Sequence, residues 1–149
     1  MGGIWLLWND DNVNVSIVAK ETRIIHCLVH DKLNAKECLL SAVYAPAREN
    51  QKDVFWEHLH HLHDSIDLPW CLMGDFNEML HASEKIGGLP LTPSKVQRLN
   101  NFLQHSNSSD AVVQGRLFTW KKFLRGQLMY EKLDRVLFRE DCLHLFPII

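Results

Sequence analysis

Asp75 and Asn77 combine the residue types and spacing that could handle a phosphate. They belong to Gly74-Asp75-Phe76-Asn77, which follows the apolar run Trp70-Cys71-Leu72-Met73. That run reads as a buried strand entering a sharp loop. Strand side chains alternate faces, so Asp75 and Asn77 are expected to project together while Phe76 points the other way, into packing. The carboxylate can orient and deprotonate a water, and the carboxamide can donate to a phosphoryl oxygen. The rival reading is an Asx-rich turn that merely closes a strand.

The elements that must position this pair follow from periodicity and turn residues. Residues 3–8 form an apolar run, and Val13, Val15 and Ile17 alternate with Asn14, Ser16 and Val18. Asp10-Asp11-Asn12 supplies the turn between these two expected strands. Further strands are predicted at 23–30 and 37–44, with a polar turn at 31–36 and a stop at Ala45-Pro46-Ala47. Phe55, Leu59, Leu62 and Ile66 recur at helical spacing, which predicts a helix over 50–66. Asn50 is its expected cap and Asp53 suits the dipole of its first turn. Leu68-Pro69 ends it, and the strand 69–75 follows. After a loop through 84–88, Thr92-Pro93 opens a second helix with a cap residue and then proline. Val96, Leu99, Phe102 and Leu103 are its buried stripe, and 106–109 end it. Residues 117–120 and 132–138 are predicted as an antiparallel pair, with a helical turn at 139–144. The order of elements describes an α+β (layered α/β) protein.

Composition sets the outer bounds. The 149 residues, 46% hydrophobic and 23% charged, suit one globular domain with a substantial core. A net charge of −2 is not that of a sequence-independent nucleic-acid binder, so any such role must rest on a local site. No apolar run approaches the roughly 18 residues of a membrane span. The first residues lack a basic leader, and Leu6 stands where a myristoylation motif needs Ser or Thr. Cys27, Cys38, Cys71 and Cys142 are scattered without a CxxC pair and are expected to be reduced structural thiols in an intracellular protein.

Other clusters have competing readings. His58 and His61, like His60 and His63, are three apart on the first predicted helix and could share a face for zinc. A solvated polar face is the preferred reading. Lys121, Lys122 and Arg125 beside Trp120 and Phe123 suit either a DNA-backbone contact or a solvated loop rim. Glu84 invites a metal-ligand reading that its position does not support.

Four segments occur in a telling order. Val43-Tyr44-Ala45-Pro46 closes a strand, Gly74-Asp75-Phe76-Asn77 closes another, Phe118-Thr119-Trp120 opens a hairpin, and Leu133-Asp134-Arg135 lies on the next strand. Together they resemble the endonuclease/exonuclease/phosphatase superfamily of metal-dependent phosphodiesterases. Gly2-Gly3-Ile4-Trp5, Pro69-Trp70 and Glu84-Lys85-Ile86-Gly87-Gly88 narrow the resemblance to the endonuclease domain of plant LINE-type (non-LTR) retrotransposons. It covers essentially the whole chain.

The resemblance implies a four-layer α/β/β/α sandwich, magnesium or manganese as cofactor, DNA as partner and action in the nucleus. By motif, Asp75 matches the residue that positions or activates the attacking water, and Asn77 the contact to the scissile phosphate. Tyr44 matches a phenol near the phosphate, and Asp134 the carboxylate that orients a catalytic histidine. Thr119 sits where the family has a DNA-contacting loop residue. The family also has an Asn and a metal-binding Glu ahead of the Gly-Gly strand, and a Ser-Asp-His motif after the Leu-Asp-Arg strand. No match to these is found, and the metal ligands remain unassigned. The expectation is therefore one partial domain over residues 1–149, lacking its first strands and last strand, marginally stable and catalytically impaired. A weakly active phosphodiesterase and a non-catalytic nucleic-acid-binding or interaction module are the alternatives.

Overall fold

Alternating β-branched residues build the first sheet, as their spacing predicts. A computed structural model of the chain describes residues 2–112 and 114–145. Strands β1 (Val13–Lys20), β2 (Ile24–Asp31) and β3 (Lys36–Tyr44) form an antiparallel meander. Asp31 holds the β2–β3 turn by accepting from the Leu33 N–H at 2.9 Å and the Asn34 side chain at 2.7 Å. Helix α1 (Glu49–Ser65) then carries the chain across to β4 (Trp70–Asp75), which lies parallel to β3. Such a parallel pairing needs a long crossover.

A short 3-10 turn at Ala82–Glu84 leads into β5 (Lys85–Ile86), and Thr92-Pro93 starts α2 (Pro93–Ser106). Strands β6 (Ser108–Asp110), β7 (Trp120–Leu124), β8 (Gln127–Glu131) and β9 (Asp134–Arg139) precede α3 (Glu140–Leu145). The large sheet has the order β1-β2-β3-β4-β9-β6, and β5-β8-β7 form a small second sheet.

The core lies between one face of the large sheet and helices α1 and α2. Leu39, Val43, Leu72 and Leu137 of the sheet meet Phe55, Leu59, Leu99 and Phe102 of the two helical stripes. Phe76 is fully buried there, with its ring 6.1 Å from that of Trp56. Emptying such a position to alanine typically costs about 3–5 kcal/mol. The opposite face carries Cys38, Cys71 and Phe138, covered by Cys142 of α3. All four cysteines are buried and free.

Several expectations change. Residues 3–8 form no strand; Trp5 and Leu7 are 87% and 89% exposed. An apolar run becomes a strand only where a neighbour takes its backbone groups, and none of the described residues does so here. Helix α1 starts one residue early, with Arg48 as its cap and Glu49 as the acidic residue of its first turn. Asn107 ends α2 in the left-handed conformation and turns the chain into β6, where only a loop was expected. The predicted pairing of 117–120 with 132–138 is replaced by a β7–β8 hairpin around Arg125-Gly126, both at positive φ. That backbone matches the twist of the strands it joins. Strand β9 instead enters the large sheet between β4 and β6. Residues 146–149 lie outside the described residues.

Candidate active site at the ends of three strands

Register brings three of the predicted site residues together. Tyr44 on β3 lies beside Asp75 on β4, and Asp75 faces Asp134 on β9. Each is an even number of residues from Cys38, Cys71 or Phe138, so all three belong to the sheet face opposite α1 and α2. Gly74 makes the approach possible. Its φ is +134°, and a Cβ there would lie 2.0 Å from the Val43 carbonyl oxygen.

Asp75 is clamped on both sides. Its carbonyl accepts from the Ala45 N–H at 2.8 Å, and the next amide, of Phe76, donates to Leu133 O at 2.9 Å. One Asp75 carboxylate oxygen accepts from the Asn77 N–H at 2.8 Å. The Asx turn and the candidate site are thus one structure. Asn77 sits at φ 48°, and its amide nitrogen donates to Ala45 O at 2.8 Å. It reaches the cleft through this left-handed turn, since β4 has already ended at Asp75. Lys52 Nζ donates to the Asn77 carbonyl at 2.7 Å.

Burial raises the proton affinity of Asp75. Burial pushes its carboxyl above the usual aspartate range; the Asn77 N–H pulls it back, and the charge of Asp134 pushes it up again. A carboxylate with raised affinity for a proton is a better base.

Thr119 shapes the neighbouring strand. Its hydroxyl oxygen accepts from the Leu133 and Asp134 N–H groups, each at 3.0 Å, and so fixes the start of β9. The hydroxyl proton remains for a further acceptor.

Tyr44, Asp75 and Asn77 line a polar cleft of about 460 Å³ whose lysines, Lys52, Lys85 and Lys95, stand among Glu49, Glu78 and Glu131, with Lys85 paired to Glu131 at 2.8 Å. Asp134 and Thr119 line an adjoining, more apolar cavity of about 590 Å³ with Met73, Leu117 and Val136. Asp134 therefore stands beside the cleft and not within its wall.

Sequence reasoning missed the supports. Lys52 lies 3.4 Å from Glu78, whose other partner, Arg98 of α2, lies at 3.2 Å. Arg98 also reaches Glu49 and Asp53 of α1, each at 2.6 Å. Burial holds the Glu78 carboxyl above its ordinary value despite these cations. Glu84 is buried and bonded to Arg135 and to the Leu80 N–H, which leaves it no role as a metal ligand. Arg135 also meets Asp110 at 2.6 Å, as does Lys132. The only sequence signal was negative: Arg135 interrupts an apolar strand and must find a partner.

The histidines depart from the solvated-face expectation. His58 pairs with Glu21 at 2.6 Å, while half-buried His60 and His63 pack toward His105 of α2.

As to a metal, Asp75 and Asp134 offer hard oxygen donors of the kind magnesium and manganese take. They suit a cation that keeps several waters and shares substrate phosphate oxygens, rather than a closed protein cage. Among the described residues, no third carboxylate, histidine or cysteine joins them in a preformed cluster.

The layered α/β fold, with its two sheets and its helices, is shared with solved nuclease-type domains. The chain superposes on the endonuclease domain of TRAS1, a telomere-specific non-LTR retrotransposon, with a TM-score of 0.71 at 15% identity over 93% of its length. It superposes on the human Nocturnin catalytic domain with a TM-score of 0.50 at 14% identity over 88% of its length. It spans 61% of the former chain and 49% of the latter. No family model matches the sequence, and no curated protein matches it.

Proposed function

We propose that the chain carries the central part of a magnesium- or manganese-dependent phosphodiester hydrolase site acting on DNA, and that this part alone works slowly. The observation behind the reading is the side-by-side register of Tyr44, Asp75 and Asp134, with Tyr44, Asp75 and Asn77 lining one cleft. Asp75 holds and deprotonates water through the carboxylate oxygen that Asn77 N–H does not use. Asn77 donates its remaining amide proton to a phosphate oxygen, and the Tyr44 phenol donates to the charge that develops there. Lys95 at the cleft wall is the cation that meets the DNA backbone, since Lys52 and Lys85 are paired with Glu78 and Glu131. Thr119 contributes a further phosphate contact from its hydroxyl proton. Asp75 and Asp134 are the residues that would hold a divalent cation, which when bound would supply charge neutralisation at the phosphate. A nuclear site of action goes with the DNA substrate.

Slowness follows from the same inventory. Among the described residues no histidine hydrogen-bonds to the Asp134 carboxylate, and cooperating sites lose orders of magnitude when one member is missing. Supercoiled plasmid incubated with excess protein and magnesium tests this. Slow nicking that stops in Asp75→Ala is expected. Nicking at an equal rate in that variant contradicts the assignment.

A further inference from the structure

Helices α1 and α2 gather imidazoles and a carboxylate where they face each other, away from the strand ends. His63 and Asp64 of α1 and His105 of α2 each present a donor atom, and the three atoms lie within 4.8 Å of one another. His105 Nε2 and an Asp64 oxygen are already 3.1 Å apart. A tetrahedral zinc with bonds of about 2.0–2.1 Å needs ligand–ligand edges of about 3.3 Å. The ring of His63 lies 5.2 Å from that of His105 and stacks on Trp70 at 6.3 Å, which fixes its plane. Its Nδ1 is buried with no hydrogen-bond partner among the described residues. A bound cation is one way to satisfy a ring nitrogen that no protein group reaches.

We propose that His63, Asp64 and His105 form a zinc site that clamps α1 to α2. Two imidazole nitrogens and one carboxylate oxygen suit zinc better than magnesium or calcium, which prefer all-oxygen surroundings. Three protein ligands leave the fourth tetrahedral position to water. A simple His105–Asp64 ion pair would leave His63 without a part.

Calorimetric titration of the chelator-treated full chain with zinc chloride tests the site. One ion per chain is expected, with a melting temperature that climbs as zinc rises. His105→Gln and Asp64→Asn alter exposed side chains, so circular dichroism should show an intact fold. Each should weaken binding by more than the roughly 10–100-fold typical of losing an outer-shell partner. Cobalt substituted for zinc should give tetrahedral visible bands without thiolate charge transfer. The proposal is overturned by absence of uptake at micromolar zinc, by unchanged affinity in both variants, or by a thiolate band that moves the metal to a cysteine.

Discussion

The carboxyl of Asp75 has its proton affinity raised by burial and by Asp134 across the β4–β9 pair, which suits the base role proposed for it. The same arrangement costs stability. A folded-state pKa above the unfolded one means the native form binds the proton more tightly, so stability falls as pH rises above the ordinary aspartate range. Asp75→Asn should therefore melt later than the parent at pH 7. Like-charged cross-strand neighbours set the scale, about 0.2–1 kcal/mol. Thermal melts should show the advantage shrinking as pH falls below the ordinary aspartate value, where the parent carboxyl becomes protonated in both states. The proximity of Tyr44, Asp75 and Asn77 follows the order of their motifs, whereas Asp134 lines the neighbouring cavity. Lys52 and Glu78 were not legible in the sequence, because their importance lies in a pairing between a helix and a loop that no local pattern encodes.

At the scale of elements, β9 starts where it does because Thr119 binds two successive amides at Leu133 and Asp134. Thr119→Val removes that acceptor while keeping the shape. Leaving such donors unmet costs about 1–3 kcal/mol, and Asp134 loses its fixed position, so both melting temperature and nicking should fall. Thr119→Ser should restore both, measured by melts and plasmid nicking in parallel. The meander and the helices were readable from alternation and helical stripes. The β7–β8 hairpin was not, because Arg125-Gly126 is a weak turn signal and β7 is exposed throughout, so it carries no buried alternation. Strand β6 was hidden for a related reason: Ser108-Ser109-Asp110 is a strand only because β9 lies beside it.

Across the molecule, a buried ion network ties the 3-10 turn, β6 and β9 together through Glu84, Asp110, Lys132 and Arg135. Burial alone would raise the Glu84 carboxyl, but the bonds from Arg135 and the Leu80 N–H, with the charges of Arg135 and Lys132, bring it below its ordinary value. Its contribution is present at neutral pH and is lost as pH falls through the depressed pKa. Glu84→Gln leaves buried Arg135 with Asp110 as its remaining carboxylate partner, so denaturant unfolding at pH 7 should show a loss of about 1.5–3 kcal/mol, the worth of hydrogen bonds to a charged group. No described helix is long and apolar enough to cross a membrane. The layered fold was legible from the order of elements, whereas this network was not, since its members lie far apart in the chain.

The central claim is that Asp75 and Asp134 act as one site on a DNA phosphodiester. Groups that act as a unit are not additive: once one is gone, losing the other changes little. Single-turnover nicking by the parent, Asp75→Asn, Asp134→Asn and the double variant decides it. Each single change should slow magnesium-dependent nicking by about 10²-fold or more, with the double variant no slower than the worse single. Parent-like nicking by Asp75→Asn, or single effects that multiply in the double variant, would contradict it.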